Sequence, residues 1–165
     1  MTAGETAHPS APDHTPLRTW LRLLTCSTLV EREVRRRLRA EFAITLPRFD
    51  VLAQLDAAAR EQRSGLTLSE LSRRLMVTNG NLTGLVESLL VEELVTRVTS
   101  PTDRRTQVVR LTPAGKRALD AMTPEHERWI ESMFGGLTPE ECAQLHALLG
   151  QLRSSARAAL APEAT

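Results

Sequence analysis

The stretch TLSELSRRLMVTNGNLTGLVESLLVEELVTRVTSPTDRRTQVVRL, from Thr67 to Leu111, decides the fold. Leu68, Leu71, Leu75 and Met76 recur at the spacing of a helix with one apolar face, which predicts a helix over 68–75. Thr67 followed three residues later by Glu70 fits a capping box, in which the two residues satisfy each other's unpaired backbone N–H groups. A second helix is predicted from about Thr78 to Glu92, with Leu82, Leu85, Val86, Leu89 and Leu90 along one side. Its other side opens with Thr78, Asn79, Gly80, Asn81 and Thr83. These groups are small or polar enough to approach a major groove and offer donors and acceptors to base edges.

Leu94 to Thr99 and Gln107 to Leu111 are rich in β-branched residues and flank the turn-forming run Ser100-Pro101-Thr102-Asp103-Arg104-Arg105-Thr106, so two short strands joined by a charged hairpin follow. A hairpin tip needs only turn chemistry. The adjacent Arg104 and Arg105 are extra, and their planar fixed charges suit phosphates or a narrow minor groove. Asp103 is expected to hold one guanidinium by a charge-assisted bond. A solvated charged turn is the plain alternative for Asp-Arg-Arg taken alone. Helix, turn, helix and hairpin in this order make a winged helix-turn-helix.

Outward from this stretch, residues 1–16 hold three prolines with little to bury and read as a disordered tail, with His8 and His14 solvated. A long helix is predicted from Leu17 to about Phe42, with Leu23, Cys26, Val30, Val34 and Leu38 in one stripe that Trp20 and Leu24 widen. Arg32, Arg35, Arg36 and Arg39 lie opposite and read as a solvated face in preference to a DNA contact. So long an apolar stripe exceeds what a small lobe can cover, and part of it is expected to meet a second subunit. Pro47 suits the first turn of the next helix, which turns Val51, Leu52, Leu55, Ala58 and Ala59 inward. Leu66-Thr67 is expected to add a third short strand against the wing.

Beyond the hairpin, Thr112-Pro113 starts a helix that runs to about Phe134, with Ala118, Leu119, Met122, Trp129, Ile130 and Met133 inward and a kink expected at Pro124. Gly135-Gly136 ends it. Thr138 and Glu141 form a second capping box, and Cys142, Leu145, Leu148, Leu149, Leu152, Ala156 and Leu160 repeat the apolar spacing. The fold class is therefore mainly α with a small β-hairpin, in one domain over 17–165. Segments 17–45 and 113–160 are dimerisation helices around a reading lobe over 46–112.

Composition narrows the function. With 165 residues and 41% hydrophobic content, one core is expected. The apolar runs fall short of the roughly eighteen residues that span a bilayer, and the start lacks the basic-then-apolar order of a signal peptide, so a cytoplasmic location is expected. Cys26 and Cys142 lack metal-site spacing and His8, His14, His126 and His146 are scattered, so no metal site is expected. Glycine-rich phosphate loops, Ser-His-Asp or Cys-His arrangements and paired carboxylates are missing, so no catalytic residue is assigned and an enzyme is excluded. The net charge of +1 hides an asymmetry: residues 60–117 hold ten Lys or Arg against six Asp or Glu, and residues 118–165 hold three against seven. The positive half contains the reading head.

LSEL (68–71), VTNGNLT (77–83), LVTR (94–97), DRR (103–105) and LTPAG (111–115) together resemble the DNA-binding core of the MarR family of bacterial transcriptional regulators. The likeness extends upstream to LPRFDVL (46–52) and covers about Leu17 to Leu160. The resemblance implies a ligand-responsive, sequence-specific regulator, a repressor in the first instance. It would bind a pseudo-palindromic double-stranded DNA operator as a homodimer joined through both chain ends. In that pose Thr78, Asn79, Asn81 and Thr83 contact bases or nearby phosphates, and Gly80 permits close approach. Arg73 and Arg74 reach the backbone, and Asp103, Arg104 and Arg105 form the wing contact.

No cofactor is implied. The effector would be a small aromatic or phenolic acid held between the dimer region and the lobe. Trp20, Ser27, Arg48 and Trp129 are its candidate lining, with Arg48 on the carboxylate; core packing or plain exposure is the simpler role for each. Some relatives sense peroxides through a cysteine in their first long helix, where Cys26 stands. This chain has no tyrosine to support such a thiolate, so a structural cysteine is the preferred reading. The alternatives are a winged protein-interaction module without operator binding, or a redox-sensing regulator through Cys26. Two departures from the family pattern stand out. Glu93 occupies the usual place of a helix-ending glycine, so a left-handed cap is not expected there, and Ser88 follows Glu87 where an arginine is common.

Overall fold

The structure, a computed structural model, describes residues 14–101 and 103–160; most of the N-terminal tail, with His8, lies outside the described residues. The elements are α1 (Thr15–Phe42), α2 (Leu46–Arg60), α3 (Leu68–Leu75), α4 (Asn79–Val91), β1 (Val95–Thr99), β2 (Gln107–Leu111), α5 (Pro113–Phe134) and α6 (Pro139–Ala159). This is the order expected from the sequence. The first helix begins two residues early, because Pro16 fits its opening turn, where a missing N–H does no harm.

The core sits in the lobe. Leu52, Leu55 and Ala58 of α2, Leu71 of α3, Leu82, Val86 and Leu89 of α4, and Val95 and Val109 of the hairpin are buried together. Val34 and Leu38 close one end of this core from α1, and Leu119, Met122 and Trp129 close it from α5. Ala59, expected inside, is exposed, while Phe49 is buried in its stead. The hairpin pairs Val95 with Leu111 and Thr99 with Gln107. Leu66 joins it through a single bridge to Val109, with N–H···O distances of 2.9 and 2.8 Å, which is as much third strand as forms.

Threonines start the helices as the sequence suggests. The capping boxes of Thr67 with Glu70 and of Thr138 with Glu141 are both complete, and the Thr112 hydroxyl accepts from the Gly115 N–H at 3.0 Å. Gly115 cannot be another residue, since an added Cβ would lie 1.9 Å from the Leu94 carbonyl oxygen. The first turn of α5 is thus pressed against the start of the wing. Farther along, α5 runs unbroken through Pro124, which removes one hydrogen bond without ending the helix.

Helix ends follow a shared rule. Ala43, Gln62, Met76 and Glu93 all have left-handed backbone, with φ between 52° and 61°. At each, the next N–H reaches back to a helical carbonyl, six residues for Ile44 to Leu38 and five for Arg63 to Ala58, Val77 to Ser72 and Leu94 to Leu89. This is the Schellman arrangement, usually built on glycine. Glu93 therefore corrects the sequence expectation: the bonds that close α4 hold the turn in place even without glycine.

Two polar features tie the lobe to its neighbours. Asp56 is buried, and its carboxylate meets Arg60 and, at 3.0 Å, Lys116 of α5. Burial works to raise its pKa, and the bonds to Lys116 and Arg60 outweigh burial and hold it below the usual carboxylate range. Asp50 on α2 is pushed the other way, to about 6, by burial near Arg35 and Glu31 of α1.

By contrast, α6 buries none of its side chains against the described residues, leaving Leu145, Leu148, Leu149 and Leu152 exposed. The first half of α1 does the same with Leu17, Trp20, Leu21, Leu24 and Leu29, and Cys26 is exposed too. No helix among the described residues is long and apolar enough to cross a membrane.

Candidate nucleic-acid interface

The reading head begins with a clamped turn. The Ser72 hydroxyl donates to the Val77 carbonyl at 2.6 Å, and the Val77 N–H donates to the Ser72 carbonyl at 3.2 Å. These two bonds fix how α4 leaves α3. Thr78 is the N-cap of α4, yet its side chain makes no capping bond, unlike Thr67, Thr112 and Thr138. With no acidic residue in its first turn, the tip keeps the positive end of the helix dipole open to an anion. Asn79, Gly80, Asn81 and Thr83 are all exposed there. Thr83 donates its hydroxyl to the Asn79 carbonyl at 2.9 Å, which orders the first turn.

The wing is shaped by Asp103 in a way the sequence reading missed. Its carboxylate accepts the Arg105 backbone N–H at 2.9 Å and the Thr106 hydroxyl at 2.7 Å, and it pairs with no guanidinium among the described residues. Donors two and three residues ahead are closer to an Asx-type turn carboxylate than a long flexible side chain, and they win. The Thr106 and Arg105 bonds hold the Asp103 carboxyl below its ordinary range. Ser100 closes the loop by donating its N–H to the Thr106 carbonyl at 2.8 Å. Arg104 and Arg105 are left exposed on this loop, with no side-chain partner among the described residues.

Arg73 is likewise exposed and unpaired among the described residues. Arg74 is not: it forks onto Glu61 at 2.8 and 3.3 Å and holds α3 to the end of α2. Local spacing carries no sign of this pairing, because Glu61 lies thirteen residues back, beyond any single-helix spacing. Reasoning from side-chain chemistry also passed over Gly84, which is exposed on α4 one turn beyond Gly80.

The model of the MarR family matches residues 44–106, from the approach to α2 to the tip of the wing. An uncharacterised HTH-type transcriptional regulator of Bacillus subtilis, YsmB, is 31% identical over 108 residues, which is 66% of this chain and 70% of that protein. The chain belongs to the MarR family. It is a DNA-binding transcriptional regulator and not an enzyme. Among solved MarR-type folds, MepR of S. aureus in complex with DNA is similar with a TM-score of 0.69 at 24% identity, covering 82% of this chain and 93% of that one. BpsR of Bordetella bronchiseptica, whose structure concerns regulation of DNA binding by 6-hydroxynicotinic acid, is similar with a TM-score of 0.68 at 25% identity, covering 82% and 98%.

The four residues nominated for a MarR effector do not meet within one chain. Trp129 is buried on α5 against Phe42, with ring centroids 6.2 Å apart, and the Arg37 guanidinium lies 5.8 Å from its centre. Trp20 is twenty-two residues before Phe42 on the same helix, about 33 Å away at 1.5 Å per residue. Ser27 is also far along α1, with its hydroxyl on the Leu24 carbonyl at 3.0 Å. Arg48 is closer to Trp129, since the ring of Phe49 beside it lies tilted against His126 with centroids 4.9 Å apart and His126 meets Trp129 edge-on at 6.5 Å. Its guanidinium pairs with Glu92 at the end of α4, and its buried Nε finds no acceptor among the described residues.

Proposed function

We propose that this regulator is a homodimeric repressor that grips a pseudo-palindromic operator and releases it when a small aromatic acid binds. The observation that carries this reading is a lobe that exposes both an uncapped polar helix tip and, on its wing, two arginines whose side chains are unpaired among the described residues, on a loop braced by Asp103. In the operator complex α4 enters the major groove, with Thr78, Asn79, Asn81 and Thr83 on base edges or nearby phosphates and Gly80 at close range. Arg73 takes a phosphate, Arg74 assists from its place on Glu61, and Arg104 and Arg105 lie along the minor groove with Asp103 shaping their loop.

Dimerisation is supported by the apolar faces of the first half of α1 and of α6, which nothing among the described residues covers. Two-fold symmetry then sets the reading helices roughly 34–36 Å apart, one turn of duplex. Repression follows because a dimer lying over successive grooves excludes other proteins from that stretch. Selecting bound sequences from random duplex DNA tests the reading directly: inverted repeats with that spacing are expected, and recovery of no sequence above background would overturn it.

The effector reading rests on likeness to BpsR and on Arg48. A carboxylate that draws Arg48 from Glu92 loosens α2 from the end of the reading helix, and it shifts occupancy only by its differential affinity for the two states. Titration of a panel beginning with 6-hydroxynicotinic acid is expected to quench the Trp129 emission of a Trp20→Phe variant and to release the operator. Silence from the whole panel in both measurements would remove this part.

A further inference from the structure

We infer that Gly84 is a specificity determinant: its missing side chain sets how deeply α4 seats in the major groove. The inference rests on the DNA-binding reading of α4 and goes beyond it by assigning a role to a residue that offers no donor or acceptor.

Glycine is the poorest helix former after proline, so one placed inside an exposed helix needs a reason. The fold supplies reasons elsewhere. At Gly115 a Cβ would strike the Leu94 carbonyl, and at Gly65 it would lie 2.6 Å from the Val109 carbonyl on a backbone with φ of 146°. At Gly84, as at Gly80, an added Cβ meets nothing within 4 Å, and the backbone is ordinary right-handed helix. Nothing within the described chain calls for glycine there.

Position on the helix supplies the reason. At about 100° per residue, Gly80, Gly84, Glu87 and Val91 fall within about 60° of one another, opposite the buried Leu82, Val86 and Leu89. The two glycines therefore occupy the centre of the face turned away from the core. Glu87, the next long side chain on that line, is drawn aside by an ion pair with Arg97 of β1 at 2.7 Å. A bare strip of backbone results, with Asn81 and Thr83 on its two flanks. Base-pair edges can meet this strip at van der Waals distance, which brings the flanking polar groups into hydrogen-bonding range. A methyl at 84 would hold the helix off by about 1.5 Å, the length of one carbon–carbon bond, enough to carry those bonds past their useful length.

The test uses the full chain and the best duplex selected by the wild type. Gly84→Ala and Gly84→Leu put better helix formers at a position with open space, so both are expected to melt at or above the wild-type temperature. Operator affinity is nevertheless expected to fall by about tenfold for Ala and roughly a hundredfold for Leu, the range of lost base contacts. The dependence of Kd on salt should stay the same for Gly84→Ala, because phosphate contacts remain. Binding by both variants within about twofold of wild type, on the scale where one lost contact exceeds that difference, would overturn the inference. So would loss of affinity accompanied by a lower melting temperature, which would mark a folding role. If the wild type itself selects no duplex, the failure lies with operator binding and is told apart at that first step.

Discussion

Glu93 holds a left-handed backbone that costs a side-chain-bearing residue about 1–2 kcal/mol, part of which glycine would return through its larger unfolded entropy. Glu93→Gly is therefore expected to stabilise the lobe by about 0.5–1 kcal/mol, read as a higher urea midpoint with an unchanged slope. An unchanged or lower midpoint would show that Glu93 contributes something beyond its backbone. Arg105 is the opposite case, a residue whose side chain has no partner among the described residues. Arg105→Ala should leave stability alone and weaken operator binding by about 1–3 kcal/mol in a gel-shift titration at fixed salt. Charge pattern made Arg104 and Arg105 legible in the sequence. It misassigned Asp103, because backbone donors within the same turn are invisible to a reading that pairs charges with charges.

Between elements, α5 meets the start of the wing at Gly115, where an added Cβ would lie 1.9 Å from the Leu94 carbonyl oxygen. Gly115→Ala must either push Leu94 aside or unseat the helix, and overpacking of this kind is expected to cost about 1–3 kcal/mol, measured by denaturant unfolding. The α1–α2 contact carries a pH dependence. Burial lifts Asp50 to about 6, so the folded chain binds its proton more tightly than the unfolded chain. Its contribution is present at low pH and is lost as pH rises from about 4 to about 6. Asp50→Asn should accordingly raise the urea midpoint at pH 7.5 and leave it nearly unchanged at pH 3.5; equal shifts at both would dismiss the titration. Element limits were largely legible. Helix 68–75 matches to the residue, its start marked by a capping box, but Met76, grouped by its spacing with the apolar face, is instead the exposed left-handed cap that ends the helix. What escaped were pairings between distant positions, such as Arg74 with Glu61, which no local spacing announces.

For the whole molecule, the unburied leucines of α6 make the strongest demand on a partner. Leu148→Glu combined with Leu152→Glu should leave helix content intact, since neither residue is buried in its own chain, and should yield single subunits in sedimentation. Operator affinity should then drop roughly a hundredfold or more, as linked half-site binding is lost. Persistence of a dimer would place the interface elsewhere. The sequence revealed these stripes plainly by their spacing. It could not show that Trp129 of α5 packs at Phe42, the end of α1 far from Trp20, so the nominated effector residues were a set drawn from chemistry alone.

The four left-handed helix ends suggest a practical use. Ala43, Gln62, Met76 and Glu93 are separate joints, and glycine at all of them, if the gains add, would raise the margin against unfolding by about 2–4 kcal/mol. Natural domains hold only about 5–15 kcal/mol in total, so such a variant would be a markedly tougher reagent. Its polar helix tip and cationic loop would be inherited unaltered, which makes it a suitable chassis for grafting new operator preferences.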